Sequence, residues 1–372
     1  MKKILVLLAA VITLMAVRTW AQPAAAPADK QYSITKKAKV GGVGGFDYVY
    51  ADADGRKLYI PRSGTGARTT VFNLDTLESI GTIANTPGDH GVAVDPKTHH
   101  GFVSCSPIVM FDSETLATIK TIDPQGGRPD GIMYEPFTQR IYVLSHSAPN
   151  VLVIDPKDGS VAGTIDLGGQ PEQGQSDGAG HVYIDLEDKS QIAVVDATTM
   201  KATAHYDLMP KGGAPAGLGL DAKNHILFAM CATPANCVVL TTDGKILDAL
   251  PIGAGVDSGG FNPATMEAFS SNGGGQGELT IIKENSPTSF VVEQKLQTMP
   301  GAKTCTLDSK TNRILLIATE MLPPTTAPVA VTPATQPAGA AAAGGRGAGR
   351  GGGRGARPTP APDGFTILVA SK

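Results

Sequence analysis

The sequence predicts an all-β protein made of seven similar repeats. Seven positions that hold Asp, Glu or Asn recur every 40–46 residues, and each precedes a short apolar segment. These anchor positions are Asp52, Asp95, Glu135, Asp177, Asp221, Asn262 and Asp308. A period in this range is typical of a propeller blade with four strands. The predicted fold is therefore a seven-bladed β-propeller with four-stranded blades.

Each repeat contains further segments rich in β-branched and aromatic residues, which favour strands. The predicted second strands are 57–61, 101–104, 140–144, 181–185, 225–229, 267–270 and 313–317. The predicted third strands are 70–74, 108–111, 151–155, 191–195, 238–240, 279–282 and 365–369. The predicted fourth strands are 79–83, 118–122, 161–165, 202–206, 246–250 and 290–293. Asp, Pro and Gly between these segments are typical turn residues.

The seventh repeat ends without a fourth strand, and a matching segment lies near the N-terminus. Residues 32–42 resemble the fourth strand at 117–122, and both are followed by glycines. We therefore expect the N-terminal strand to complete the last blade. This arrangement closes the ring and removes two exposed sheet edges.

Two segments are expected to lie outside the propeller, which should span 31–320 and 364–372. Residues 1–21 combine two lysines, an apolar run and Thr19-Trp20-Ala21, a pattern typical of a cleaved signal peptide. We expect a periplasmic or extracellular protein with no membrane span after cleavage. Residues 321–363 are rich in Pro, Ala, Gly and Arg and lack periodic apolar residues, which predicts a disordered insert in blade 7.

Charge narrows the class of partner. The chain has a formal net charge of −3. Without the signal and the insert, 24 basic and 33 acidic residues remain, for a net charge of about −9. An acidic body of this kind is an unfavourable partner for nucleic acid.

Several motifs resemble a known repeat family. They are Asp-Pro-Lys-Thr at 95–98, Tyr-Val-Leu-Ser at 142–145, and the segment Val-Ile-Asp-Pro to Gly-Thr-Ile at 153–165. Together they are similar to the YVTN-type (YncE-like) seven-bladed β-propeller repeat family, across nearly the whole chain outside the signal and insert. That resemblance implies the same fold. Its relatives include periplasmic binding proteins, surface-layer proteins and lactone-hydrolysing enzymes, so it leaves the activity open.

Candidate binding residues occur five positions before each anchor. This column opens the innermost strand of every blade, so its members should converge at one mouth of the central channel. The column contains Asp47, His90, Asp130, Glu172, Ala216, Asp257 and Lys303. Arg62 and His146, in loops on the same face, are expected to reach a ligand over the channel.

The column is compatible with three kinds of role. His90, Asp130 and Asp257 offer imidazole and carboxylate donors for a divalent cation, although no cofactor is certain. Lys303 suits an anionic group of an organic ligand. Alternatively, residues such as Asp130, which precedes Gly131, bond turn amides and tie neighbouring blades together.

Cysteine positions suggest one disulfide. Cys231 and Cys237 flank a short hairpin loop, and an exported protein enters an oxidising compartment, so we expect them to pair. Cys105 and Cys305 lie in non-adjacent repeats and are expected to be thiols.

The sequence therefore favours an exported binding or interaction protein over an enzyme, with a ligand site at the channel mouth. Its partner would be a small molecule or an envelope protein or polymer. One alternative is a metal-assisted hydrolase or lactonase that uses the same column. Another is a structural cell-envelope propeller that binds polymers.

Overall fold

The computed structural model describes residues 31–42, 44–63, 68–322 and 359–372. These residues form seven antiparallel four-stranded sheets arranged as blades, which confirms the predicted fold. Within the described ranges the only helical segment is a short 3-10 turn at Glu187–Lys189. None of the described segments is a helix long and apolar enough to cross a membrane.

The strands follow the predicted order within each blade. The first strands are Tyr50–Asp52, Val92–Val94, Pro129–Glu135, Pro171–Ser176, Pro215–Asp221, Val256–Asn262 and Thr304–Asp308. The second strands are Lys57–Ile60, His100–Val103, Arg140–Ser145, His181–Leu186, Ile226–Ala232, Glu267–Asn272 and Arg313–Leu322. The third strands are Thr69–Asn73, Ile108–Asp112, Val151–Ile154, Gln191–Asp196, Ala235–Thr241, Glu278–Ser286 and Thr359–Ser371. The fourth strands are Ser79–Ile83, Thr118–Ile122, Val161–Ile165, Lys201–Asp207, Ile246–Pro251, Ser289–Gln297 and, for blade 7, Ser33–Lys39.

The first strands form the inner wall of the ring. The first strand of each blade contacts the first strand of the next, and that of blade 7 contacts that of blade 1. One additional ribbon, in which Gly45–Phe46 pairs with Arg62–Ser63, lies outside this repeat pattern. The beginnings of the first strands therefore share one end of a central channel.

Blade 7 is completed by the N-terminal strand, as predicted. Ser33–Lys39 runs antiparallel to Thr359–Ser371, with Ser33 opposite Ser371. The predicted limits of the insert, 321 and 363, are wrong at both ends. The second strand continues to Leu322 and the third begins at Thr359, because these two residues pair and extend the hairpin. The rest of the insert and the predicted signal peptide (1–21) lie outside the described residues.

The anchor residues that define the repeat are turn residues. The carboxylate of Asp95 accepts hydrogen bonds from the amides of Lys97 and Thr98. Glu135 does the same for Phe137 and Thr138. The periodic acids thus satisfy amides at the turn between the first and second strands.

The apolar core is divided among the blade interfaces. Seven clusters of buried apolar side chains fill the described part of the ring, one between each pair of neighbouring blades. Strand faces alternate between the two neighbouring interfaces, so each blade supplies residues to two clusters. Packing between blades therefore holds the ring together.

The interface between blades 7 and 1 also contains a buried charge cluster. The Asp308 carboxylate is fully buried and binds Arg56 at 2.8 and 2.9 Å and Arg313 at 3.1 Å. Although burial raises the pKa of Asp308, its hydrogen bonds with Arg56, Thr311 and Arg313 lower it far below its usual range. The charge cluster thus joins the first and last blades.

The expected disulfide between Cys231 and Cys237 is wrong. Both cysteines are buried thiols, as are Cys105 and Cys305. Cys231 lies opposite Asn236 and Cys237 lies opposite Met230, so the two cysteines differ by one position in register. Because successive residues of a strand point to opposite faces, Cys231 packs toward blade 4 and Cys237 toward blade 6.

Candidate functional site at the channel mouth

Six of the predicted column residues meet at one mouth of the channel. We define the mouth ring as these six residues and one loop histidine: Asp47, His90, Asp130, Glu172, Asp257, Lys303 and His146. Each of the six lies at or just before the start of a first strand. All seven side chains are half-buried. Their charged groups contact one another across blades, so they tie neighbouring blades together as in the structural alternative, but through charged contacts.

β-Bulges set the direction of several of these side chains. In blades 3 to 6 the pairing between the first and second strands shifts register at the column position. The bulges fall at Asp130, Glu172, Ala216 and Asp257. A bulge redirects a side chain that regular pleating would place on a blade face.

The first half of the ring is a chain of acid–base contacts. His90 Nδ1 lies 2.6 Å from Asp47 Oδ2 and 3.6 Å from Asp130 Oδ1. His146 Nε2 lies 3.3 Å from Asp130 Oδ2 and 3.0 Å from Glu172 Oε1. Asp130 therefore presents one oxygen to each histidine.

The second half of the ring is an ion pair between two further blades. Lys303 Nζ donates a short hydrogen bond to Asp257 and lies 3.7 Å from Asp47 Oδ1. Burial alone would lower the pKa of Lys303, but Asp257 and Asp47 raise it above its ordinary value. Lys303 is therefore a cation that already has two carboxylate partners.

Two residues of the site were missed in the sequence. The Tyr48 hydroxyl donates a 2.7 Å hydrogen bond to Glu172 Oε2. Burial, followed by the nearby Glu172 charge, raises the pKa of Tyr48. Burial and Glu172 also raise the pKa of Glu187, which follows the second strand of blade 4. Tyr48 directly follows the column residue Asp47, and this position in the sequence is the signal from which its place in the site could have been predicted.

Burial and crowding shift the proton affinities of the central groups. Burial raises the pKa of Asp130 to about 6, assisted by Asp47 and Glu172 and opposed by His90 and His146. Contact with Glu172 raises the pKa of His146 to about 9, although burial lowers it. The hydrogen bond to Asp47 raises the pKa of His90 against burial. Histidines with raised pKa values and a carboxyl that ionises near neutrality are common at functional sites.

The arrangement offers two sets of metal-binding donors. Asp47, His90 and Asp130 bring one donor atom each within 4.8 Å of one another, and so do Asp130, His146 and Glu172. The predicted set of His90, Asp130 and Asp257 is wrong in its third member, because Asp257 is paired with Lys303.

Arg62 does not belong to the site. It is buried, donates a 2.7 Å hydrogen bond to the Gly41 carbonyl oxygen, and lies 3.7 Å above the Phe365 ring. Burial lowers its pKa to about 10. Its guanidinium faces the closure between blades 7 and 1, so the predicted contact with a ligand over the channel is wrong.

In blade 5 the column position holds Ala216, which has no polar side chain to contribute to the mouth ring. A buried carboxyl, Asp185, lies in the second strand of the neighbouring blade 4. Among the described residues neither of its oxygens has a well-aligned hydrogen bond, although the Gly217 amide favours the ionised form. Burial, followed by the charge of Glu172, raises its pKa well above the usual range.

The mouth ring lies beside the central channel. The channel holds a cavity of about 1070 Å³, and Glu172 is the one ring residue in its lining, together with the neighbouring Tyr48 and Gln173. The Gln173 side chain donates to the Gly259 carbonyl oxygen at 2.9 Å and accepts from the Leu218 and Gly259 amides at 3.2 Å. Gln173 thus ties blades 4, 5 and 6 together and gives one wall of the channel a fixed backbone.

Comparisons with known proteins support the fold alone. No family model matches this chain. No curated protein matches it significantly in sequence. The chain is similar to one in the crystal structure of the mitotic checkpoint complex, at 12% identity and a TM-score of 0.65. That match covers 82% of this chain and 95% of the other. The protein is thus a seven-bladed β-propeller, a fold that hosts many functions.

Proposed function

We propose that this protein is an exported binding protein whose ligand site is the mouth ring. The observation that supports this proposal is the direction of the ring side chains. Residues from six blades turn their charged groups toward one another at one end of the channel, and one of them, Glu172, lines a large cavity. Such convergence is typical of a ligand site.

The electrostatic cost of the ring also supports a binding role. Asp47, Asp130, Glu172 and Asp257 lie close together in a half-buried setting, and burial and crowding raise the pKa of Asp130 to about 6. Groups whose pKa values are shifted by burial and by neighbouring charges cluster at functional sites.

Charge indicates the class of ligand. Four carboxylates of the ring, with Glu187 beside them, face three basic side chains. Lys303 and both histidines already contact carboxylates. The ring therefore favours a cation or a small polar molecule with a cationic group over an anion.

A thermal-shift experiment tests this proposal. The purified, tag-free protein is heated with primary amines, guanidines, carboxylic acids and lactones in EDTA, and separately with divalent chlorides. At least one cationic class should raise the midpoint of unfolding of the wild type and have a smaller effect on Asp257→Asn. His181→Gln is the control, because His181 forms an exposed pair with Asp177 outside the ring. If no compound or cation shifts the wild type, or if Asp257→Asn responds fully, the proposal fails.

A metal-assisted hydrolase or lactonase is the second candidate. Two sets of imidazole and carboxylate donors lie in the ring, and Glu172 of the second set lines a cavity large enough for a substrate. A bound metal would lower the pKa of a water molecule for attack on an ester or lactone. Hydrolysis of simple lactones and nitrophenyl esters by the zinc-loaded protein, lost in Asp130→Asn, would support it. Equal rates in the two proteins would refute it.

Membership of the YVTN-type repeat family is part of the proposal. It rests on the Asp-Pro-Lys-Thr, Tyr-Val-Leu-Ser and Gly-Thr-Ile segments noted above. Export is tested by N-terminal sequencing of protein recovered from periplasmic and culture fractions. A chain that begins at Gln22 would support export, whereas an intact Met1 in a cytoplasmic fraction would refute it. The expected partner remains a small molecule or an envelope protein or polymer.

A further inference from the structure

We propose that the mouth ring holds two divalent transition-metal ions bridged by Asp130. This inference rests on the proposed function and identifies its ligand. One ion would be bound by Asp47, His90 and Asp130. The other would be bound by Asp130, His146 and Glu172.

The separations between donor atoms suit metal coordination. Two donors that each lie about 2.0–2.2 Å from one ion are roughly 3.0–3.5 Å apart at tetrahedral or octahedral angles. The Nε2 atom of His146 lies 3.0 Å from Glu172 and 3.3 Å from Asp130. The Nδ1 atom of His90 lies 3.6 Å from Asp130. The contact of His90 with Asp47, at 2.6 Å, would have to lengthen slightly.

The orientation of Asp130 argues for two ions. Its Oδ1 faces His90 and its Oδ2 faces His146. A single ion would draw one or both oxygens to one histidine. A carboxylate that directs one oxygen to each side is suited to bridge two ions, which in such sites lie about 3.5–4 Å apart.

The contacts of His146 also suit a metal ligand. Its Nε2 atom is buried and lies 3.0 Å from Glu172 Oε1 and 3.3 Å from Asp130 Oδ2, although neither contact has the alignment of a hydrogen bond. One imidazole nitrogen and two carboxylate oxygens therefore converge on the same point. An ion at that point would bind all three atoms.

Tyr48 is a positioning residue for this arrangement. Its hydroxyl donates to Glu172 Oε2, which leaves Oε1 directed at His146. A partner of this kind fixes the orientation of a ligating carboxylate, and its loss typically weakens metal binding 10–100-fold.

Donor chemistry selects the metal. Two imidazoles with three carboxylates suit Zn²⁺ or Mn²⁺. Ca²⁺ prefers six to eight oxygen donors and Mg²⁺ keeps several waters. Zn²⁺ and Mn²⁺ are therefore the probes, and Ca²⁺ is the comparison ion.

Stoichiometry tests the proposal directly. The tag-free protein is stripped with EDTA, loaded with Zn²⁺, passed through a desalting column and analysed for metal. We expect two Zn²⁺ per wild-type chain, one in His90→Gln, and one in Glu172→Gln. Asp130→Asn should bind both ions at least tenfold more weakly, and His181→Gln should keep two. Tyr48→Phe should bind one of its two ions about tenfold more weakly.

A spectroscopic readout separates two bridged ions from two isolated ions. Two Mn²⁺ ions joined by a carboxylate give an exchange-coupled electron paramagnetic resonance spectrum. We expect that spectrum in the wild type and the signal of an isolated ion in Glu172→Gln. Circular dichroism verifies that each variant is folded, and the His90 and Glu172 variants carry the test if Asp130→Asn does not fold.

Several results would overturn the inference. They are zero or one Zn²⁺ in the wild type, two tightly bound ions in Asp130→Asn, or an uncoupled spectrum with two bound Mn²⁺. Failure here is distinct from failure of the proposed function. An organic compound that stabilises the protein in EDTA, with loss of that effect in Asp257→Asn, would leave the binding role standing while the metal site falls.

Discussion

Replacement of Asp185 by asparagine should stabilise the protein at neutral pH. The Asp185 side chain is fully buried, and among the described residues its oxygens have no well-aligned hydrogen bond, although the Gly217 amide favours the ionised form. In blades 2 and 6 the matching position holds Ser104 and Ser271, whose hydroxyls donate to carbonyl oxygens of the next blade. In blade 4 an ionisable carboxyl, Asp185, therefore occupies the position at which blades 2 and 6 have a neutral hydrogen-bond donor.

The magnitude follows from proton linkage. Burial raises the pKa of Asp185 above its unfolded value of about 3.9. Below pH 3.9 both states are protonated and the group has no pH-dependent effect. Above it the unfolded state releases the proton first, so the free energy of unfolding falls by about 1.4 kcal/mol per pH unit until the folded pKa is reached. The wild type is therefore disfavoured by an amount that grows at this rate from about pH 3.9 up to the folded pKa.

Chemical denaturation followed by circular dichroism measures this effect between pH 4 and pH 7. The advantage of Asp185→Asn should be near zero at pH 4 and grow with pH. Asp54→Asn is the control, because Asp54 is exposed and its pair with Lys310 is expected to contribute under about 1 kcal/mol. A wild type that is more stable than Asp185→Asn at pH 7, or a difference that does not change with pH, would refute the reasoning.

Three further changes test other parts of the structure. Asp308→Ala should lower the free energy of unfolding by roughly 2–3 kcal/mol, since Arg56 and Arg313 lose their buried carboxylate and keep only the exposed Asp75 as a partner. Denaturation at several pH values should show this loss shrinking as pH falls below about 3.9, where unfolded carboxylates protonate, and a constant loss would contradict it. Thiol titration in denaturant without reductant should give four thiols per chain, whereas two would indicate a disulfide. Arg62→Ala should lower the free energy of unfolding by roughly 1–3 kcal/mol, because the hydrogen bond to Gly41 and the contact with the Phe365 ring are lost. Ligands of the mouth ring should still stabilise this variant as they do the wild type. A weaker stabilisation would place Arg62 in the site.

The repeat made much of the site predictable. Each blade has the same order of strands. Residues that lie the same number of positions before the anchors therefore reach the same level of the propeller in every blade. This geometry brought Asp47, His90 and Asp130 together although they are far apart in the sequence. It also predicted that the N-terminal strand would complete blade 7.

Side-chain direction was less predictable. Arg62 sits in a ribbon with Gly45–Phe46 that has no counterpart in the described parts of the other repeats, and its guanidinium contacts Gly41 and Phe365. Cys231 and Cys237 are separated by a turn whose register places them on opposite faces. Neither feature follows from periodicity, because a shift of one residue reverses the face that a strand residue occupies.

The bulges in the first strands are a further feature of the site that the sequence did not predict. The register shifts at Asp130, Glu172 and Asp257 redirect these side chains toward the mouth. A bulge depends on pairing with the second strand, which the spacing of anchors does not reveal. Tyr48 and Glu187 lie one position or more outside the column, and their contacts with Glu172 depend on tertiary packing.

The completion of blade 7 by the N-terminal strand has a consequence for how the protein folds. Thr35 bonds to Val369, 334 positions later in the chain. Six blades can form as soon as their own residues are available, but the ring cannot close until the last strand has been delivered. Until then the N-terminal strand and the open face of blade 1 lack partners, and such edges pair readily with other chains. A chain of this design is safest when its N-terminal strand stays unfolded until the last strand of blade 7 is available.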